Sequence, residues 1–316
     1  MRLAIALGIV YVVWGSTYLG IVVADRTLPP MLMLSARFLI AGGLLYAWAA
    51  RRGEVAAERP GRREWGAAAV IGGLLLVVDT GGVAWAEQRV ASGLAALVVA
   101  SVPLFMAILD RTFFGVRLSL GAAAGIATGV VGVAILAGPS GRIDAIGALV
   151  LLVASFAWAA GSTYARVAPL PRSPLLAAAM QMLTAGVGLA VVGISMGELG
   201  RVHPSAISGE SLAALAFLIV FGSLIAFTVY GWLLKHASTP LLSTYAYVNP
   251  GVAVFLGWAF AGEHVGGREL VAGLVILSSI ALLLFSRTGR RREPKAEAVA
   301  EVIDYPRPRV LSKLAA

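Results

Sequence analysis

Trp14-Gly15-Ser16-Thr17-Tyr18 lies in the first long apolar stretch of the chain, and Gly161-Ser162-Thr163-Tyr164 repeats its last four residues 146 positions later, behind Trp158. Ala91-Ser92 returns at the same offset as Ala237-Ser238, and Val102-Pro103 returns as Val248-Asn249-Pro250 with one residue inserted. Beyond each proline the chain reads Gly115-Val116-Arg117 in one half and Gly262-Glu263-His264 in the other. One short match carries little. Several in one order at nearly one offset mark a tandem duplication.

The duplicated unit is a membrane unit. Of 316 residues 59% are hydrophobic and only 13% charged, with mean hydropathy +0.88, against about 25% charged in soluble domains. Ten apolar segments follow one another at about 3–24, 31–50, 66–86, 91–110, 118–137, 145–164, 174–196, 211–234, 239–261 and 268–286, each near the length that crosses a bilayer. Arg2 precedes the first as it would in a signal peptide. The run is too long for one, and Trp14 and Tyr18 stand where small cleavage-site residues belong, so an uncleaved span is expected.

The net charge of +9 sets topology rather than binding nucleic acid. One set of connections holds Arg2, Arg51, Arg52, Arg59, Arg62, Arg63, Arg111, Arg117, Arg166, Arg172 and Lys235, and the C-terminal tail is basic as well. The other set holds only Arg26, Arg89, Arg142, Arg201 and Arg268. Positive residues stay cytoplasmic, which places both termini there and brings anionic lipid to that face. Arginine far outnumbers lysine, which points to a GC-rich bacterium and nothing more; the expected location is a bacterial inner (plasma) membrane.

Ten spans in two copies give five per copy. Five is odd, so the second copy enters the membrane inverted, an arrangement tied to secondary transport about a midplane site. The sequence therefore predicts an all-α integral membrane protein whose ten transmembrane helices form two inverted five-helix repeats, at 1–142 and 143–286. A disordered basic cytoplasmic tail is expected at 287–316, where Pro294, Pro306 and Pro308 interrupt a polar stretch. Gly121, Gly125 and Gly129 recur every four residues and predict a helix-packing face. Gly72-Gly73 and Gly81-Gly82 loosen the third span.

Pro103 and Pro250 lie at matched places in spans 4 and 9. A mid-helix proline removes a backbone hydrogen bond, and matched broken helices point to a central site. The approach to Pro250, Ser243-Thr244-Tyr245-Ala246-Tyr247-Val248-Asn249, is the most polar intramembrane run. Tyr245 and Asn249 share a helical face, and Asn249 needs a partner on a neighbouring helix or a ligand. With aromatic walls from Trp14 and Trp158 and polar groups from Ser16, Tyr18, Tyr164 and Gln181, these residues and the two prolines are the candidate substrate-binding set. Arg37 and Asp79 are the clear charges inside spans, roughly 10 Å below the outer surface at 1.5 Å per residue. Equal depth predicts an ion pair, and an unpaired Asp79 predicts proton coupling. Glu87, Glu263 and Asp110 lie at span ends and read as solvated caps.

No catalytic constellation is present in the sequence. His203, His236 and His264 lack metal-ligand spacing, no phosphate loop occurs, and there is no cysteine. No enzyme, metal or cofactor is expected.

The chain resembles the EamA-type transporters of the drug/metabolite transporter superfamily over about 3–286. The residues that carry the resemblance are Trp14–Tyr18, Leu28-Pro29-Pro30, Arg37-Phe38, Trp85-Ala86-Glu87-Gln88, Ser92-Gly93-Leu94-Ala95-Ala96, Val102-Pro103-Leu104, Tyr247-Val248-Asn249-Pro250 and Gly262-Glu263. The resemblance implies a basket of helices around a central cavity. It also implies a back face, at helices 5 and 10, suited to homodimer contact, and outward transport of small metabolites such as amino acids without ATP. Two departures stand out. Val116 replaces a glutamate matching Glu263, and Asp79 stands where a neutral residue is usual. The expected function is a secondary active exporter with a small-molecule substrate. The alternative is a membrane enzyme or flippase acting on lipid-linked substrates.

Overall fold

The computed structural model describes residues 2–115, 120–137, 144–237, 239–242, 244–263 and 266–288. The tail beyond Thr288, the 142/143 boundary, Val116, Ser238, Ser243 and His264 lie outside the described residues. Within them, all regular structure is helical and none is strand. The long helices are α1 (Arg2–Asp25), α2 (Pro30–Arg51), α3 (Arg62–Glu87), α4 (Ser92–Phe114), α5 (Leu120–Ala137), α6 (Ala145–Ala165), α7 (Pro174–Ser195), α8 (Gly209–His236), α9 (Tyr245–Phe260) and α10 (Gly267–Thr288). Seven of them, α1–α4 and α6–α8, are long and apolar enough to cross a membrane; shorter apolar stretches lie at Ala123–Gly132, Val248–Phe260 and Leu270–Ser279.

Helix starts follow local rules. Pro30 and Pro174 open α2 and α7, at positions where the missing N–H is not needed. Ser173 Oγ caps Leu176 N–H at 3.2 Å, and Asp144 accepts from Ile146 and Gly147 N–H at 3.3 Å each. Longer-range caps come from glutamates. Glu198 accepts from Met31 and Leu32 N–H at 3.3 and 2.9 Å, Glu58 from Ser173 N–H at 2.8 Å, and Glu263 from Ser92 and Gly93 N–H at 2.8 and 3.2 Å. Glu263 is thus a built cap on α4 rather than a solvated one.

Two interruptions were not visible in hydropathy. Residues Gly73–Thr80 of α3 and Leu218–Phe227 of α8 wind as π-helix, a wider turn that occurs mostly at functional sites. The glycine pairs 72–73 and 81–82 bracket the first of these. The proline breaks differ from expectation. Pro103 does not kink a continuous helix, because α4 turns at Ala100–Ser101 and Pro103 opens its second part, Val102–Phe114. Pro250 lies inside α9, six residues beyond Thr244, where the chain turns between Thr239–Leu242 and α9.

Packing runs along close helix pairs: α2 on α7, α5 on α10 and α1 on α9. A Cβ on Gly42 would stand 3.0 Å from Leu183 N, and one on Gly186 would stand 3.0 Å from Leu39 N. Small residues let backbones meet in lipid, where dispersion replaces the hydrophobic effect. Gly129 of the expected packing stripe also serves within the chain, its Cβ position 2.3 Å from Leu104 and 3.0 Å from Ser279 of α10.

A Cβ on Gly72 would fall 2.4 Å from the carbonyl oxygen of Gln181, whereas one on Gly73 meets nothing within 4 Å. Gly72→Ala should therefore cost about 1–3 kcal/mol by overpacking, read as a lowered melting temperature in detergent. Gly73→Ala should stay within about 1 kcal/mol of the parent.

Candidate functional site

The main cavity is compact, with about 80 Å³ open to water-sized groups in this conformation. Its walls come from α1 (Thr17, Tyr18), α2 (Arg37, Phe38), the π segment of α3 (Asp79, Thr80), the turn of α4 (Val99, Val102), the π segment of α8 (Gly222, Phe227) and α9 (Asn249). Trp14, Trp158 and Tyr245 face it from the aromatic side.

Those three rings and Tyr230 form a floor. Trp14 meets Trp158 edge-on at 5.1 Å between centroids, Tyr230 at 4.8 Å and Tyr245 at 5.8 Å, the offset and T-shaped geometries that aromatic quadrupoles favour. Tyr230 is fully buried. Its hydroxyl accepts from Trp158 Nε1 at 3.0 Å and shares a 2.9 Å hydrogen bond with Ser162 Oγ. Below the floor lies a second, smaller cavity lined by Leu75, Pro174, Gln181, Tyr230 and Lys235. Farther along, Asp110 of α4 pairs with Arg166 of α6 at 3.0 Å, each side chain 7% exposed. Asp110 is therefore a buried partner, not a solvated cap.

The structure sorts the sequence candidates. Trp14, Tyr18, Trp158, Tyr245, Asn249, Arg37 and Asp79 meet at the main cavity. Gln181 faces the second cavity, and Ser16 lies in a shallow groove between α1 and α9 with its hydroxyl bonded to Val12 O at 2.7 Å. Tyr164, Pro103 and Pro250 are not among the lining residues of either cavity. Asn249 ties helices together. With its amide oriented by the hydrogen-bond network, it donates to Tyr11 O at 3.0 Å and Tyr245 O at 3.2 Å. Tyr11 and Thr244 hydroxyls add a second bond between the same elements.

The expected Arg37–Asp79 ion pair is not formed. Arg37 Nε donates instead to Ser223 Oγ of α8 at 2.8 Å, and its guanidinium lies 4.9 Å from the Phe38 ring centre. Nη1 of Arg37 and Oδ1 of Asp79 are buried without hydrogen-bond partners among the described residues. Asp79 lies within the π segment Gly73–Thr80, where a regular α-helical projection does not hold. Both carboxylate oxygens of Glu87 are likewise buried and unpartnered, which replaces the solvated-cap reading. Sequence reasoning missed Thr17, Thr80 and Gly222. Thr17 lies within the repeated motif and was legible there. Gly222 and Thr80 sit in π segments, where a 3.6-residue projection places side chains wrongly.

A polytopic helical bundle with a polar, aromatic cavity between its helices is the frame of a membrane transporter. Residues 2–138 and 145–285 each match the EamA-like transporter family, and the chain belongs to that family. It is 40% identical, over 94% of both chains, to the "Uncharacterized inner membrane transporter YedA" of Escherichia coli K12. It is 24% identical to the "Probable amino-acid metabolite efflux pump" of Salmonella typhimurium, covering 90% of this chain and 95% of that one. A "Probable terminal-alkyne amino-acid exporter" of Streptantibioticus cattleyicolor is 26% identical over 66% of this chain and 69% of its own. A solved crystal structure shares the fold at TM-score 0.65 and 21% identity, covering 90% of this chain and 98% of that one.

Tyr230→Phe removes the acceptor of Trp158 Nε1 and the partner of Ser162. The buried groups left behind should cost about 1–3 kcal/mol, measured as a lower melting temperature. Tyr164→Phe, away from both cavities, should leave it unchanged.

Proposed function

We propose that the protein is a secondary active exporter of small metabolites such as amino acids, working by alternating access about the main cavity. In this reading ten spans form two inverted five-helix repeats, with boundaries near residues 142 and 286. Both termini face the cytoplasm of a bacterial inner membrane. The double family match over 2–138 and 145–285 supports the repeat. The names of two relatives support amino-acid solutes and outward transport.

The single observation that carries the mechanism is the aromatic floor. Together with Phe227, which lines both, it stands between a larger cavity and a smaller one. In the proposed topology α1 runs outward, so Thr17 and Tyr18 lie outside Trp14 and the main cavity is the outward compartment. The Trp14–Trp158–Tyr230–Tyr245 floor and the buried Asp110–Arg166 pair then close the inner side. Alternation opens these contacts while the opposite end closes, and the π segments of α3 and α8 supply the deformable elements. Energy comes from an ion or solute gradient. Surrounding lipid and the solute are the partners.

The test is counterflow of labelled amino acids into proteoliposomes, with and without an imposed proton gradient. Solute should accumulate above the protein-free control. Arg166→Ala should slow it at least ten-fold or lock it in one direction, by releasing the inner closure. Absence of counterflow for every amino acid, in folded protein, would remove this reading.

A further inference from the structure

We propose that Arg37 and Asp79 are the two charged poles of the solute site, the guanidinium receiving a carboxylate and the Asp79 carboxylate receiving an ammonium group. The cavity would then select solutes that carry both charges on one apolar or aromatic body. This assignment rests on the transport reading of the same cavity.

Arg37 and Asp79 are set apart by the partners they lack. Each is 5% exposed, each lines the main cavity, and each presents a buried polar atom with no partner among the described residues. No ion pair joins them, and neither pairs with any other charge among the described residues, where ion pairs do join Arg26–Glu210, Arg52–Glu54, Arg89–Asp144 and Arg166–Asp110. An isolated charge held away from water costs several kcal/mol. Two such charges of opposite sign on one cavity are the complement of a ligand that brings the opposite pair. A solute with one charge would satisfy one pole and leave the other bare. A zwitterion satisfies both.

The surroundings are built for holding these groups apart. Ser223 fixes Arg37 through Nε at 2.8 Å, and Nη1, without a partner among the described residues, is placed to donate the charge-assisted hydrogen bond that a carboxylate accepts. Gly222 makes the room, since a Cβ there would lie 2.6 Å from Arg37 Nη2. Phe38 supports the guanidinium at 4.9 Å, a distance at which a ring face attracts a cation. Asp79 comes from the π segment of α3, and Trp14, Trp158 and Tyr245 lie ready for an apolar body.

Three probes of one shape test it: L-phenylalanine, phenethylamine and 3-phenylpropionate, with L-leucine, isoamylamine and 4-methylpentanoate as a second set. Binding is read by melting-temperature shift of the full chain in detergent, and transport by counterflow in proteoliposomes. In at least one set the zwitterion should bind at least ten-fold tighter than the amine or the acid. Asp79→Asn should abolish the preference for zwitterion over acid, and Arg37→Gln that for zwitterion over amine; Arg37→Lys should keep part of it. Binding with this preference but no counterflow would remove the transport reading and leave the poles. Counterflow of amine or acid as fast as of zwitterion would remove the poles and leave transport. So would Asp79→Asn losing only its response to an imposed proton gradient while keeping parental selectivity. No binding of either set would overturn both.

Discussion

Where α2 and α7 cross, their backbones are brought together at Gly42 and Gly186, and much of the interior takes its geometry from that contact. In lipid no hydrophobic effect drives one apolar helix against another, so close packing must do so. A Cβ at either glycine would press on a backbone nitrogen of the other helix. The crossing fixes α2 in depth and rotation, and Arg37 lies on α2 little more than one turn before Gly42. Gly72 repeats the device on α3, set against the Gln181 carbonyl of α7. One helix, α7, thereby positions both walls that carry the buried charges.

The same economy governs helix ends. Where side chains cap long helices from a distance, the donor and acceptor lie in different family-matched stretches. Glu198 reaches Met31 and Leu32, Glu58 reaches Ser173, and Glu263 reaches Ser92 and Gly93. A carboxylate at a helix N-terminus satisfies orphan N–H groups and meets the positive end of the helix dipole. These caps therefore bind one half to the other at its edges, while the glycine contacts bind them at the centre. The interior between can then hold a cavity without the bundle losing its shape.

Charge at the cavity is organised by what it does not touch. Arg166 and Asp110 neutralise each other. Arg37 and Asp79 share a cavity and do not. Asp79 lies within the π segment of α3, whose wider turn departs from the α-helical register. There Asp79 lines the cavity with its Oδ1 buried and without a partner among the described residues.

Hydropathy by itself determined that the chain is a helical membrane protein, and the repeated Gly-Ser-Thr-Tyr motif pointed to its two family-matched stretches, because span length and self-similarity are linear properties. Composition also marked the aromatic pair Trp14 and Trp158, the polar approach to Asn249, and the buried charges Arg37 and Asp79. Contacts are not linear. Only the tertiary structure decided that Asn249 ties α9 to α1, that Gln181 belongs to a second cavity, that Tyr164 and Pro250 stand away from the site, and that Glu263 caps α4. It alone showed that Arg37 bonds Ser223 instead of Asp79. The reason is the same throughout: partner choice depends on helix crossings and on π windings, and a 3.6-residue projection carries neither.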